Sequence, residues 1–369
     1  MFFYILRRIP QTALVIFGVT LVTFIALQIG GDPTYLFVSE RASPEEIEET
    51  RKMLGFDKPL HIQYLIYLSN LIQLDFGDSL YYRQPALTVI LETLPATIEL
   101  TIFSMLIAIF GSIPFGILAA IYRGKWIDGS LMAVAMLGQS IPSFWLGIMC
   151  ILYISLNVSW LPISGHVPFL MLIFQGEFIQ AFKNLPTTIT YLILPSFAVA
   201  FYSVSRNARL IRSSMLEVLS QDYVRTARSK GLSEYIVIMK HAMRNAWLPV
   251  VTIIGLEFGF VISGVVVVEV IFAWPGLGRT VFDAISNRDI PLVQAAVVVI
   301  SLFVIVINLI TDLVPIQGKN IIEIGAGTGN LSFEILKLVP NRLICIEKDQ
   351  TCLLYTSPSP RDKRQSRMP

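Results

Sequence analysis

Residues 221–249 read QDYVRTARSKGLSEYIVIMKHAMRNAWLP. The segment is basic and of mixed polarity, and it lies between two long apolar runs. A chain as apolar as this one can place such a segment only in water, on one side of a membrane. The chain is 54% hydrophobic and only 15% charged, with a mean hydropathy of +0.67. Soluble domains carry about 25% charged residues, so this is a membrane composition. A net charge of only +2 gives no support to nucleic acid as a partner. Cys150, Cys345 and Cys352 form neither a metal-ligand spacing nor a disulfide framework.

A helix that crosses a bilayer needs about 20 mostly apolar residues. Six runs qualify: 9–29, 97–121, 130–156, 187–204, 250–272 and 292–314. The expected fold is therefore all-α and polytopic, with six transmembrane helices. Arg7-Arg8 and the run behind them imitate a signal peptide. The run is too long for one, however, and no small-residue cleavage site follows, so an uncleaved first span is expected. Lysines and arginines near span ends set orientation. With six spans, Arg7-Arg8, Arg123 with Lys125, and the basic loop 205–249 share one side. That side is expected to be the cytoplasm, with the N-terminus on it.

The first outside loop carries structure of its own. Ser43-Pro44-Glu45-Glu46 is a capping box with proline at the first helical position, and Gly55 is a natural stop. Residues 61–74 form a second amphipathic stretch, and the two together suit a small lid on the membrane surface. The apolar run 169–174 is too short to cross and reads as interfacial or re-entrant. Pro114, Pro142 and Pro195 interrupt spans, which suits a moving channel wall and a static kinked bundle equally.

Ionisable groups inside spans are costly and therefore informative. Glu257 lies about a third of the way into the fifth run, placed to face an aqueous path or a structural partner inside the bundle. Glu269 and Asp312 lie near span ends and are expected as solvated charges. After the fifth run, Pro275, Gly276 and Gly278 force a turn. Trp274 is expected at interface depth, and Arg279 is a candidate for an outer gate or partner contact.

In the basic loop a helix over 222–230, stopped by Gly231, precedes a second helix. Ala227 and Gly231 are small and near one face, which would admit a partner surface closely. This segment resembles the coupling-loop signature of ABC-importer permeases: Glu-Ala-Ala, three residues, Gly, then Leu-Pro. Arg225-Thr226-Ala227 stands in place of Glu-Ala-Ala, Gly231 matches the glycine, and Leu248-Pro249 comes later than in the general pattern. Those departures are similar to the dipeptide, oligopeptide and nickel branch. Tyr4-Ile5-Leu6-Arg7-Arg8, Gly31-Asp32-Pro33, Leu94-Pro95-Ala96-Thr97, the stretch from Ser140 to Gly147, and Phe272-Ala273-Trp274-Pro275-Gly276-Leu277-Gly278-Arg279 agree, in order, up to about residue 314.

The resemblance implies a transport subunit rather than an enzyme, with no catalytic residues and no cofactor or metal of its own. Two homologous permease subunits would pair in the cytoplasmic membrane of a bacterium or archaeon. Each would dock on an ATP-binding subunit, which holds ATP and magnesium, through Asp222, Tyr223, Arg225, Thr226, Ala227, Gly231, Leu248 and Pro249. A solute-binding protein would deliver peptides, or nickel or another small solute, from outside. The chain fits that division of labour, because it contains no G-x-x-x-x-G-K-[ST] phosphate loop.

Beyond residue 314 the character changes. Residues 318–350 read as a strand, a glycine turn with Gly325, Gly327 and Gly329, and a second strand ending at Glu347. Such glycines let a backbone approach a nucleoside, and the acid can hold ribose hydroxyls. The pattern resembles the first motif of S-adenosylmethionine methyltransferases, closest to ribosomal-RNA adenine dimethylases. It covers far less than the 50–250 residues of a typical domain, so an anchored methyltransferase is the weaker reading. Residues 351–369 are polar and unlike either family, and are expected to be a non-native tail of a chimaeric chain.

Overall fold

The computed structural model describes residues 2–29, 33–36, 38, 42–53, 55–312, 320–324 and 342–346. Thirteen helices and two strands are found among them. Helix α1 spans Phe2–Ile29, α2 Pro44–Met53 and α3 Leu60–Ile72. Helix α4 spans Ala86–Ile121, α5 Trp126–Ser140 and α6 Ser143–Met149. A π-helical turn, Cys150–Ser155, continues α6. Then come α7, Leu170–Phe174, α8, Phe178–Leu219, and α9, Asp222–Ser229. The short α10, Glu234–Ile236, passes through a second π-helical turn, Val237–Ala242, into α11, Met243–Ile271. Helices α12, Leu277–Ser286, and α13, Ile290–Asp312, close the helical part.

Four of these helices are long and apolar enough to cross a membrane: within α1, α4, α8 and α13. The pair formed by α5 and the α6 segment bends by 105° at Ile141-Pro142 and supplies a fifth span if counted as one. Five of the six expected runs coincide with these elements. The sixth, 250–272, lies largely in α11. The bend confirms Pro142 as a breaker, whereas Pro114 and Pro195 sit inside unbroken helices.

Helix α8 is the central strut, packed along α4 and flanked by α5, α6 and α11. At about 1.5 Å per residue, its 42 residues far exceed the hydrocarbon thickness of about 30 Å. The loop expected from residue 205 therefore begins as helix. The reason is periodicity: Ala208, Ile211 and Met215 continue the buried face, while Arg209 and Arg212 between them turn to Gln139 and Asp128 of α5. The main core joins α4, α8 and α11 through residues such as Leu100, Val199, Ile211, Val265 and Phe272.

The segments between α1 and α4 are tied down by specific bonds. The capping box of α2 forms as expected: the Ser43 N–H donates to Glu46 Oε2 at 2.8 Å, and the Glu46 N–H donates to Ser43 Oγ at 3.3 Å. Gly55 follows with φ +74°. Helix α3 leans on α1, where Tyr64 Oη donates to the Phe17 carbonyl at 3.1 Å and meets Thr20 Oγ1 at 2.9 Å. Fully buried Asp289 accepts from Ser79 Oγ, the Tyr81 N–H and the Leu292 N–H. It thus caps α13 and holds residues 79–81 against that end of the bundle.

Residues 1–308 form one compact unit and 309–369 another. In the second, β1, Asn320–Ile324, and β2, Arg342–Ile346, pair in parallel, with Asn320 opposite Arg342 and Ile324 opposite Ile346. Gly325, Gly327, Gly329, Glu347 and residues 351–369 lie outside the described residues.

Candidate functional site

The basic segment after α8 folds as a helix-turn-helix platform between α8 and α11. Helix α9 starts at Asp222, a carboxylate in the first turn, and carries Arg228 in the last; both charges complement the helix dipole. Gly231 has φ +75°, a conformation that costs other residues about 1–2 kcal/mol, so the chain stops and reverses there. Arg228 then grips Glu234 with two hydrogen bonds, of 3.1 and 2.7 Å. That bond holds the Glu234 carboxyl below its ordinary range. Asn245 Nδ2 donates to Tyr223 Oη at 2.8 Å, fastening α9 to the start of α11.

The two faces of α9 differ sharply. Val224 and Ala227 pack on Val237 in a small cluster of their own. Asp222 and Arg225 lie on the other face, 98% and 76% exposed and paired with each other at 3.8 Å, and Tyr223, Thr226 and Gly231 are also exposed. Ala227 was expected to face a partner; it turns inward instead, and its small side chain lets α9 close on Val237. Leu248 and Pro249, expected just ahead of a span, fall within α11, so the helix enters the apolar run without a break.

Two buried carboxylates occupy α11. Glu257 is 2% exposed and accepts from Asn207 Nδ2 of α8 at 2.7 Å. Arg206 Nη1 lies 3.5 Å from its other oxygen. Glu257 Oε1 and Asn207 Oδ1 have no hydrogen-bond partner. Glu257 thus lies between α11 and the α8 pair Arg206-Asn207.

Glu269 corrects the sequence reading. It was expected as a solvated end charge and is fully buried. Thr97 Oγ1 donates to Glu269 Oε1 at 2.6 Å, and the Leu277 N–H donates to the same Thr97 hydroxyl at 2.7 Å. The Arg279 N–H donates to Glu269 Oε2 at 3.1 Å. A Cβ on Gly276 would fall into this carboxylate, and one on Gly278 would come within 2.6 Å of Val266 Cα. Glycines at both positions let the turn wrap the acid.

Trp274 is fully buried, and its Nε1–H donates to the Ala96 carbonyl at 2.9 Å. Ala273, in the left-handed region at φ +49°, reverses the chain so that the indole points inward. Arg279 Nη1 donates to the Ala273 carbonyl at 2.8 Å and closes the turn. The motifs at 94–97 and 272–279 are thus one structure.

Sequence reasoning missed Glu99. This buried carboxylate of α4 meets His166 Nε2 at 2.8 Å and accepts from the Phe169 N–H at 2.8 Å and from the Leu170 N–H. It therefore caps α7, and His166 in turn packs edge-on against Trp274. The available signal was a lone acid near the start of an apolar run, at Ile98-Glu99-Leu100. Among the described residues, no group of three His, Cys, Asp or Glu is placed to hold a metal.

Residues 112–314 match the family described as "binding-protein-dependent transport system inner membrane component", and residues 1–101 match the N-terminal part of such membrane components. The di/tripeptide transport system permease protein DppB of Pseudomonas aeruginosa is 40% identical over 327 residues. The dipeptide transport system permease protein DppB of Escherichia coli K12 is 38% identical over 323 residues. Each alignment covers 84% of this chain and 95% of the relative. A crystal structure of an amino acid ABC transporter aligns over 61% of this chain and 92% of that one, at 14% identity and a TM-score of 0.45, a likeness too slight to fix the fold. On the extent of the family match and of these two relatives, the chain belongs to the binding-protein-dependent transport system inner membrane components.

Proposed function

We propose that this protein is the membrane-spanning permease subunit of an ATP-driven, binding-protein-dependent importer of di- and oligopeptides. The observation that carries the reading is the docking platform. Helix α9 is rooted by its apolar face, offers an exposed polar face, follows α8 across a short turn and is tied to the start of α11 by the Asn245–Tyr223 bond. A push on it would be delivered to two long helices at once. The peptide-permease names of the relatives favour peptides as the solute.

On this reading α11 completes a set of six spans, and the N-terminus and α9 share the cytoplasmic side. A second homologous permease pairs with this chain in the inner membrane. Two partner subunits bind and hydrolyse ATP with magnesium, and a solute-binding protein docks outside. Asp222, Tyr223, Arg225, Thr226 and Gly231 meet the ATPase. Ala227, Leu248 and Pro249 shape the platform behind them. The knot around Glu269, Trp274 and Arg279, at the other end of α11, braces the outer side. Residues 318–369 take no part in transport.

The test is reconstitution of the chain in proteoliposomes with the partner permease, ATPases and binding protein. Labelled tripeptide should accumulate only with ATP inside the cytoplasmic-side compartment. Accumulation without ATP, or nickel uptake in place of peptide uptake, would overturn the assignment.

A further inference from the structure

Between α5 and α8 lies an open groove of about 850 Å³, within the usual size range of small-ligand sites. Arg206, Arg209 and Arg212 line it, against a single carboxylate, Asp128. That carboxylate is already committed. Arg212 holds it with two hydrogen bonds, of 2.6 and 2.8 Å, and the Gly124 N–H adds a third at 3.0 Å. Among the described residues, Arg209 Nη1 donates to the neutral amide of Gln139, at 2.8 Å. Arg206 is backed by Glu257, and its side chain remains 47% exposed. The groove thus keeps an excess of guanidinium donors, beside the apolar walls of Met132 and Met136.

The site's place in the helix bundle argues that it faces water. Gln139 lies two residues before the 105° break at Ile141-Pro142. Arg206 and Arg209 follow directly on the apolar run 187–204, so the groove opens at the water-facing end of that run. A guanidinium pair beside such a break is suited to a carboxylate, which it can hold with charge-assisted hydrogen bonds.

We infer that Arg206 and Arg209 bind the C-terminal carboxylate of a peptide in transit. Glu257 and Asn207 are positioning residues behind Arg206. The inference rests on the peptide-importer reading and names the part of the solute that this subunit grips. Free peptides all carry this carboxylate, so the site would suit solutes of varied side chains.

The experiment compares tri-alanine with tri-alanine amide in the full reconstituted complex, with the binding protein saturated by each. In the wild-type complex the acid should enter faster than the amide. In Arg206→Gln/Arg209→Gln the advantage of the acid over the amide should fall about tenfold, the loss of one or more charge-assisted bonds. Arg209→Lys should restore part of it, because the charge returns without the planar fork. As a measurement independent of turnover, tri-alanine but not its amide should slow labelling of Met136→Cys by a maleimide. Equal loss for acid and amide, or an unchanged ratio with no protection of the cysteine, would overturn the inference while leaving the importer reading intact. A wild-type complex that takes up neither peptide would overturn the importer reading itself.

Discussion

Thr97→Val tests the knot around Glu269 at a single hydroxyl. Thr97 is 4% exposed, and its Oγ1 serves two partners at once. It donates to Glu269 Oε1 at 2.6 Å and accepts from the Leu277 N–H at 2.7 Å. Valine keeps the shape and deletes the hydroxyl. Two buried groups then lose the partner found for each. Leaving one buried polar group unsatisfied costs about 1–3 kcal/mol, so the pair is worth roughly 2–6 kcal/mol. At about 2.1 cal/mol/K per residue, a chain of 369 residues shifts its melting temperature by about 1.3 °C per kcal/mol. Purified Thr97→Val should therefore melt at least about 2.5 °C below wild type in a thermal aggregation assay. Thr97→Ser, which keeps the hydroxyl, should lose much less. A valine variant that melts within about a degree of the serine variant would refute the argument that this hydroxyl bridges the knot.

Two further outcomes follow from the docking platform. Gly231→Arg adds a side chain where φ is +75°, so about 1–2 kcal/mol of backbone strain falls on the turn. ATPase activity should become independent of transport while membrane abundance is unchanged; preserved coupling would remove Gly231 from the lever. The Arg228–Glu234 bond lowers the Glu234 carboxyl, so its contribution is present above the ordinary glutamate value near 4.3. It is lost as pH falls through the lower folded value. The pair is exposed, so its worth is at most about 1 kcal/mol. Amide exchange in α9 should quicken as pH falls through that window in wild type, beyond the intrinsic trend, and should follow only the intrinsic trend in Glu234→Gln. Equal behaviour of the two would show that the bond does not order the platform.

Much of the helical layout was legible from apolar runs and punctuation. The Ser43–Glu46 box and the stop at Gly231 act through bonds and angles within a few residues, and both are found as read. Pro142 was legible as a break for the same local reason. Helix ends were not, because helix outlasts hydrophobicity: α8 runs on through Arg206–Arg212 by burying Ala208, Ile211 and Met215 on its other side. The candidate site was less legible still. Position along a run placed Glu269 and Trp274 at the membrane surface. What buries them is the left-handed Ala273, two glycines, and Ala96 and Thr97 more than 170 residues away. Glu99 escaped notice because its partners, His166 and the start of α7, come some 70 residues later. Ala227 was read as an open face because its spacing with Gly231 is that of one helix side. The inward packing on Val237 depends on how the next helix folds back.

The most direct measurement of the docking role is crosslinking in the assembled transporter, with the native cysteines replaced. Arg225→Cys lies on the exposed face of α9, and Arg279→Cys lies past the opposite end of α11. With a short thiol crosslinker, R225C should join the ATPase subunit and R279C should not. An R279C product with the ATPase, or an intact complex in which R225C gives none, would contradict the account.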